Sequence, residues 1–332
     1  MDNYIITLIK NNGGSSDITK FCGNLSWKDS IDTLGMELNV DAVRNIDDKY
    51  MKGYDLIEVG DKIILLNNNK ELFRGIIVDL GINRYSKSIT AFDYAFYLNQ
   101  SMTIIQFNKV NADEAIKQLC SKFNVPTGNI VPISTAITKI YKDNIIAEII
   151  RDILEQATNE WGTNYRLEMR EGKLYIEKYT DLIITPRFKP ASNVASLNPL
   201  KTIGSISKSE SIADMRNSIL ISSNDEKSSR VIATAKDEKS ISKFGLLQEI
   251  ESVDDKDMAK AKLIAQNKLK ELNKIKEDIS IKLLGDDNVR AGRILEVDND
   301  TFKLKGQYLI KDCTHTYQNR IHTMDLTLER VI

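Results

Sequence analysis

Residues 306–329, GQYLIKDCTHTYQNRIHTMDLTLE, contain both histidines of the chain and one of its three cysteines. Apolar and polar residues alternate along both halves of this stretch, as the period of two in a half-buried strand requires. The polar triplet QNR between the halves is typical of a turn. The stretch therefore predicts a β-hairpin. One face of its first strand would carry Leu309, Cys313, His315 and Tyr317, and the other face Tyr308, Ile310, Asp312, Thr314 and Thr316.

The chemistry of this hairpin decides whether the protein is an enzyme. Cys313, His315 and His322 are residue types that bind soft metals, or that pair a thiol nucleophile with a base. A zinc site needs three or four ligands, and the chain has no third histidine and no CxxC or HExxH motif. Cys313 lies in mid-strand, away from a helix N-terminus that would lower its pKa. A hairpin with incidental histidines is favoured.

Other candidate sites are equally weak. Asp286 and Asp287, after Leu284 and Gly285, resemble the paired aspartates of polymerases, but Asn288 and a strand follow, which is an ordinary turn composition. The GGSS stretch at 13–16 lacks the Lys-Ser/Thr of a phosphate-binding loop. Two-carboxylate hydrolysis stays open because 47 acidic residues offer many pairs, yet no pair stands out. The sequence predicts no catalytic, cofactor-binding or metal-binding residue.

Composition narrows the possible partners. The chain has 332 residues, 42% of them hydrophobic, and 46 basic residues against 47 acidic ones, a net charge of −1. This balance gives no basic footprint for nucleic-acid recognition. An odd number of widely separated cysteines forms no disulfide framework and fits folding in a reducing cytoplasm. No run approaches the roughly 18 apolar residues of a membrane span, so membrane insertion is not expected.

Periodicity divides the chain into three predicted domains. Residues 1–105 read as short strands separated by turns and predict a β-barrel or sandwich. Residues 106–200 predict a small α+β domain with two amphipathic helices, a hairpin around Glu171-Gly172 and an irregular connection after residue 180. Residues 201–332 predict a second β domain into which a long, lysine-rich helix at about 254–277 is inserted. The predicted fold class is α+β, mainly β.

The two β domains contain an internal repeat. IEVGDKIILL and FRGIIVDLGINRYSKSITAFD in the first resemble VRAGRILEV and LKGQYLIKDCTHTYQNRIHTMD in the second. Gly60 and Gly75 are matched with Gly292 and Gly306, and the aspartates that close the two segments, Asp93 and Asp325, are matched with each other. The spacing predicts two structurally related β units.

These motifs, together with AFDYAFYLNQS, SISKSESIADMRNSILI and KFGLLQEIE, resemble the XkdQ/YqbQ family of baseplate hub proteins from contractile phage tails and phage-tail-like bacteriocins. The resemblance extends over nearly the whole chain. It implies a non-enzymatic homotrimer in which two tube-like barrels per subunit give six similar units. Such a trimer would join a six-fold tail tube to a three-fold central spike.

The resemblance also implies further partners and a location. The partners would be the tail tube protein, the central spike, a LysM-type baseplate protein, wedge proteins and the tape measure. The hub would assemble in the bacterial cytoplasm and leave with the virion or bacteriocin particle. Three alternatives remain open: a tail-tip cell-wall hydrolase, a spike-like component of a related contractile secretion system, and a monomeric carbohydrate-binding β protein.

Overall fold

The computed structural model describes residues 2–45, 47–48, 57–188, 194–201, 205–223, 230–253, 255–300 and 304–331. Strands make up 52% and helices 21% of the structure, so the prediction of a mainly β, α+β protein is confirmed. None of the helices within the described residues combines the length and apolar character that a bilayer span requires.

The strands and helices are numbered in chain order. The strands are β1 (Tyr4–Ile9), β2 (Ser15–Asp17), β3 (Cys22–Ser30), β4 (Glu37–Val43), β5 (Lys62–Asn67), β6 (Lys70–Ile82), β7 (Ser86–Asp93), β8 (Met102–Asn111), β9 (Thr127–Ile130), β10 (Ala136–Ile145), β11 (Tyr165–Arg170), β12 (Lys173–Lys178), β13 (Ile183–Ile184), β14 (Ser205–Ser211), β15 (Ser218–Ser223), β16 (Val231–Lys236), β17 (Gln248–Val253), β18 (Lys276–Leu284), β19 (Ile294–Asn299), β20 (Leu304–Gln318) and β21 (Ile321–Arg330). The α-helices are α1 (Ala95–Gln100), α2 (Ala112–Lys122), α3 (Ile146–Trp161), α4 (Glu238–Phe244) and α5 (Ala261–Leu272).

One large sheet contains strands from both ends of the chain. Its strand order is β14-β18-β21-β20-β3-β4-β7-β6-β5-β1-β2, with β19 beside β20 and β13 beside β19. The two ends of the chain join where β20 pairs antiparallel with β3. Among the described residues this path does not close on itself, so the two separate barrels predicted from the sequence are not observed.

The middle of the chain forms a unit with its own core. The strand pair β8-β10 and the sheet β11-β12-β9 pack with α2 and α3, whose apolar faces supply about half of a buried cluster. Both helices and the hairpin turn at Glu171-Gly172 lie where the sequence predicted them. Glu171 and Gly172 have positive φ values, as a two-residue hairpin turn demands.

The long helix predicted at about 254–277 is wrong in length and surroundings. A 3-10 helix occupies Asp255–Lys260, and α5 ends at Leu272. The chain then enters β18, in which Ile279, Ile281 and Leu283 are buried at a period of two. Pairing with β21 and β14 therefore replaces the helical period. Helix α5 packs on the small sheet β16-β15-β17 and not inside a barrel.

The internal repeat corresponds to two sets of five strands. The first unit consists of β3, β4, β5, β6 and β7, in the spatial order β3-β4-β7-β6-β5. The second unit consists of β14, β18, β19, β20 and β21, in the spatial order β14-β18-β21-β20-β19. Every neighbouring pair in both units is antiparallel. The two units thus have the same chain order, spatial order and strand directions.

Backbone details fix the correspondence between the units residue by residue. Gly60 N donates to Ile77 O at 2.8 Å, and Gly292 N donates to Ile310 O at 2.7 Å. Both glycines have positive φ, so both start their strands from a conformation that other residues rarely adopt. A register shift follows Ile77 in β6 and follows Ile310 in β20. Gly60 therefore corresponds to Gly292, and Ile77 to Ile310.

The other matches made from the sequence are wrong. Gly75 is paired with Asp93, and the corresponding pair in the second unit is Tyr308 and Arg330. Gly306 corresponds to Phe73, and Asp325 does not correspond to Asp93. The sequence-based alignment followed glycine and aspartate spacing, whereas the hydrogen-bond register places the repeat two to five residues away.

A β-bulge also corrects the predicted faces of β20. The register shift between Ile310 and Asp312 adds one residue, which reverses the alternation beyond it. Tyr308 and Ile310 are therefore buried on the same side as Cys313 and His315. Strict alternation had placed these two pairs on opposite faces. On β21, Met324, Leu326 and Leu328 are buried at a period of two.

Candidate functional site

The two histidines lie together, buried at the junction of β20 and β3. His315 is 1% exposed and His322 is 3% exposed. His315 Nδ1 lies 2.9 Å from His322 Nε2, and His322 Nδ1 lies 3.0 Å from the hydroxyl of Tyr4 on β1. That hydroxyl also lies 3.1 Å from Asp287 Oδ1, on the loop after β18. We call Tyr4, Asp287, Cys313, His315 and His322 the histidine network.

The contacts of the histidine network fix where its protons lie. His315 Nε2 lies 2.8 Å from the carbonyl oxygen of Val289, which only accepts, so this nitrogen carries hydrogen. Nδ1 of neutral His315 then accepts from His322 Nε2–H. His322 Nδ1 and Asp287 both approach the hydroxyl of Tyr4, which has one hydrogen to donate. The hydroxyl hydrogen of Tyr4 therefore lies between two acceptors, Asp287 Oδ1 and His322 Nδ1.

Burial sets the charge state of this network. It lowers the pKa of both histidines to about 4, and for His315 the neighbouring His322 lowers it further. Burial raises the pKa of Asp287, and its hydrogen bonds with Asn67 and Tyr4 oppose this rise. Trp27 on β3 stacks on His315, with ring centroids 4.8 Å apart and an interplanar angle of 6°. The two histidines are therefore neutral at pH 7 and pack closely where β3 and β20 pair.

A second buried group lies beside it and is strongly charged. We call Asp29, Arg166, Glu168, Arg290 and Arg293 the arginine cluster. Arg293 donates to both carboxylate oxygens of Glu168, at 2.8 and 3.0 Å. Asp29 accepts from Arg290 Nε at 3.2 Å and from Arg166 Nη2 at 3.5 Å. The bidentate geometry is the strongest form of carboxylate recognition that arginine offers.

The arginine cluster joins three parts of the chain. Asp29 belongs to β3, Arg166 and Glu168 to β11 in the middle unit, and Arg290 and Arg293 to the loop before β19. Although burial raises the pKa of Glu168, the charges of Arg290, Arg293 and Arg166 outweigh it and lower the pKa to about 2. Glu168 is therefore ionised at neutral pH and compensates the buried guanidinium groups.

The structure buries Cys313, His315 and Asp286, three of the candidate residues named from the sequence. Cys313 Sγ lies 3.1 Å from His315 Nε2, so the thiol and the histidine do meet. Burial nevertheless raises the pKa of Cys313 well above that of a free thiol, which disfavours the thiolate a nucleophile needs. Asp286 accepts from the backbone N–H groups of Arg187 and Asn288, as a turn residue does. Within the described ranges, no three His, Cys, Asp or Glu side chains converge on a common metal position.

The sequence analysis did not single out Tyr4, Trp27 or any member of the arginine cluster. One signal was available, because YRLEMR in β11 places Arg166 and Glu168 between apolar residues of a short strand. Charged residues at such positions are buried only when they are paired. The partners could not be identified, because Glu168 and Arg293 lie 125 residues apart in the sequence.

The described residues also form a cleft between α3 and the small sheet that carries α5. It has a volume of about 420 Å³, and Arg151, Glu155, Glu249, Lys268 and Glu271 are among the residues that line it. Burial raises the pKa of Glu155, and Lys268 opposes this rise. Lys268 is paired with Glu251 at 2.6 Å and lies 4.0 Å from Glu249.

Comparison with solved structures identifies the class of fold. The 43 kDa tail protein of prophage MuSo2 from Shewanella oneidensis superposes with a TM-score of 0.70, at 12% identity and over 98% of each chain. The protein thus has the mainly β fold of prophage tail proteins. A family model described as YqbQ-like matches residues 25–329, and the chain belongs to this family.

Two curated relatives come from Bacillus subtilis (strain 168). Protein YqbQ is 28% identical over 278 residues, which is 82% of each chain. The XkdQ protein of the phage-like element PBSX is 27% identical over the same length and share. The resemblance inferred from the sequence motifs is thereby confirmed.

Proposed function

We propose that this protein is the structural baseplate hub of a contractile phage tail or phage-tail-like particle, joining a six-fold tail tube to a three-fold central spike. In this proposal residues 1–105 and 201–332 supply two tube-like units and residues 106–200 supply the middle domain. The hub has no enzymatic activity, and it is assembled in the bacterial cytoplasm and released with the particle.

The duplicated five-strand unit is the observation that carries this proposal. A three-fold ring of one chain has three equivalent positions, but a chain with two similar units presents six similar surfaces. Such a ring matches a six-fold tube on the side where the units lie, and keeps three-fold symmetry elsewhere. The shared strand order, strand directions and bulge position make the two units similar enough for this role.

The buried junction between the units supports the same role. A hub transmits load between tube and spike, so its two units must keep a fixed relation. The β20–β3 pairing, the histidine network and the arginine cluster all span the junction. The thiol and the two histidines are buried, as expected for residues that maintain structure and do not meet a substrate.

The expected partners are the tail tube protein on the six-fold side and the central spike on the three-fold side. A LysM-type baseplate protein, wedge proteins and the tape measure would bind around or within the ring. Near-zero net charge is compatible with dense packing among these proteins.

Light scattering and electron microscopy of the purified chain, alone and with its tube protein, test the proposal. We expect a trimer whose projections show six similar densities on one side. The tube protein should bind this side. A chain that stays monomeric at high concentration, with and without the tube protein, would rule out the hub role. Turnover of peptidoglycan by the pure chain, lost in a Cys313→Ala/His315→Ala variant, would support the hydrolase instead.

A further inference from the structure

Several strand edges of the large sheet have no partner strand in the described residues, among them one edge of β14 and part of one edge of β6. Strand β14 is the last strand of the sheet path and pairs only with β18. The C-terminal part of β6, from Asp79 to Ile82, pairs with β7 on one side only. Unpaired edges of this kind are sites at which another chain can add a strand.

The duplicated unit shows what each of these edges pairs with elsewhere in the same chain. Residues Asp79–Ile82 correspond to residues 312–315 of β20, because both segments follow the same bulge. The β20 segment is paired with β3, and Asp312 lies opposite Ser30 there. Strand β14 corresponds to β3. Within the second unit β14 is the end strand next to β18, and within the first unit β3 is the end strand next to β4. The internal junction thus joins β20 of the second unit, which corresponds to β6, to β3 of the first unit, which corresponds to β14.

The sequences of β3 and β14 support this correspondence. Strand β3 is paired with β4, and β14 is paired with the corresponding strand β18. Aligning the two pairings matches Ser26 with Ser207 and Ser30 with Ser211. The same registers match Asp29 with Glu210, so an acidic residue is present at this position in both strands. One residue further, Ile31 is matched with Ile212.

We infer that β14 of one copy adds antiparallel to the free edge of β6 in a second copy, with Asp79 opposite Ser211 and Ile82 opposite Lys208. This register is the internal β20–β3 register transferred between copies. The inference rests on the proposed assembly of several copies and assigns the strands through which they meet. Because the contact is head-to-tail, it generates a ring when the rotation closes.

Exposure of apolar residues at the free edge supports the pairing. Ile82 is 58% exposed, whereas its counterpart His315 is 1% exposed under the cover of β3. Val59 is 59% exposed, whereas its counterpart Ala291 is buried beside Asp29. The first unit therefore exposes apolar side chains at the positions that the second unit buries inside the same chain.

Residues of β14 fit the role of the covering strand. Lys208 corresponds to Trp27, and its aliphatic stem can lie over Ile82 while its charged end stays near Glu210, to which it is paired at 2.8 Å. Glu210 corresponds to Asp29, which accepts from the backbone N–H of Ala291. In the assembly Glu210 would accept from the backbone N–H of Val59 in the second copy.

A disulfide experiment tests the register. We expect Asp79→Cys combined with Ser211→Cys to give covalent oligomers on mild oxidation, because paired Cα atoms lie about 5 Å apart, within disulfide reach. The matched control combines Asp79→Cys with Ser207→Cys. Ser207 is on the same edge and face of β14, but about 13 Å further along the strand. The single variants Asp79→Cys, Ser211→Cys and Ser207→Cys complete the set. They show how much cross-linking involves the natural cysteines.

A second variant tests the surface without any cross-link. Ile82→Lys should weaken assembly at least about tenfold in light scattering, since it places a second ammonium group opposite Lys208 in place of an apolar contact. Ile321→Lys is the matched control, because Ile321 is 57% exposed and begins β21, directly after the β20–β21 turn. Both variants should unfold at the same urea concentration as the wild type.

The outcomes separate this inference from the hub proposal. An oligomer that cross-links through Ser211 and not through Ser207 supports the pairing. An oligomer that does not cross-link through Ser211, or that Ile82→Lys leaves unchanged, overturns the pairing and leaves the hub proposal standing. A chain that is monomeric at every concentration, with or without the tube protein, overturns both.

Discussion

Replacing Glu168 with glutamine is the sharpest test of how the units are held together. The substitution keeps the shape of the side chain and removes its charge. Arg293 would lose its bidentate partner, and Arg166, whose Nε lies 3.6 Å from Glu168 Oε2, would lose a second carboxylate. The guanidinium groups would remain buried, with Asp29 as their nearest remaining carboxylate and Asp93 acting on Arg290. We expect a large loss of stability and little change in the folded structure.

The magnitude follows from two independent considerations. The pKa of Glu168 is lowered from 4.5 to about 2, which corresponds to about 3 kcal/mol of favourable interaction with the ionised form. Removing one partner of a buried ion pair costs about 3–5 kcal/mol in other proteins. Glu168 is 2% exposed, so solvent screening reduces neither value substantially. We therefore expect Glu168→Gln to lower the free energy of unfolding by about 3 kcal/mol at pH 7.

The pH dependence has a definite sign. Because the pKa of Glu168 is lower in the folded state, its contribution is complete above the unfolded pKa of about 4.3 and declines as the pH falls towards 2. The difference between wild type and Glu168→Gln should thus be constant from pH 8 to about pH 5.5 and shrink below pH 4. Urea unfolding, followed by tryptophan fluorescence at each pH, measures it.

The matched control is Glu171→Gln, which makes the same change at an exposed turn position of the same hairpin. Surface substitutions of this kind change stability by no more than about 0.5 kcal/mol. If Glu168→Gln also cost less than about 1 kcal/mol, the arginine cluster would not stabilise the junction of the units, and this account of the site would be wrong.

Three further predictions concern the same junction. Gly285→Ala should destabilise the protein strongly in the urea assay, because a Cβ there would lie 2.2 Å from the ring of His322. Gly23→Ala should be nearly neutral in the same assay, because the new methyl group would have open space around it. The histidines, whose pKa values fall from 6.5 to about 4 on folding, should make stability decline between pH 6.5 and 4 by about 3 kcal/mol each, and His322→Gln should flatten this decline. An unchanged slope would contradict the neutral assignment of His315 and His322. Cys313 should react with iodoacetamide only in denaturant, because burial raises the pKa of the thiol and excludes the reagent. Mass spectrometry of the labelled chain measures this reaction. Rapid labelling of the native protein would disprove the burial of Cys313.

Local patterns of the sequence predicted the elements whose structure is set by nearby residues. Helices α2 and α3 and the hairpin at Glu171-Gly172 follow from the period of their apolar residues and from turn chemistry. The end of α5 was missed because a lysine-rich helical pattern continues to Ile275 in the sequence, while pairing of β18 with two strands far away in the chain determines where the helix stops.

The candidate site was beyond the reach of local patterns for a physical reason. The β20 bulge reverses which residues face inward, and a single added residue leaves no mark on composition. The pairing of β20 with β3 joins residues nearly 290 positions apart, and the arginine cluster forms only after this pairing and the docking of β11. The sequence predicted that two related units exist. Which residues of the two units correspond could be read only from the backbone hydrogen bonds of the folded protein.

The two kinds of unit edge differ in the way expected for a contact made during folding and a contact made during assembly. At the internal junction, Trp27, His315 and Asp29 are buried against residues of the same chain. If a second copy replaced one side of this junction, buried charges would be left unpaired. At the free edges, the corresponding positions carry Lys208, Ile82 and Glu210, which tolerate water before assembly. Exchanging the residues of β14 for those of β3 should therefore promote uncontrolled association.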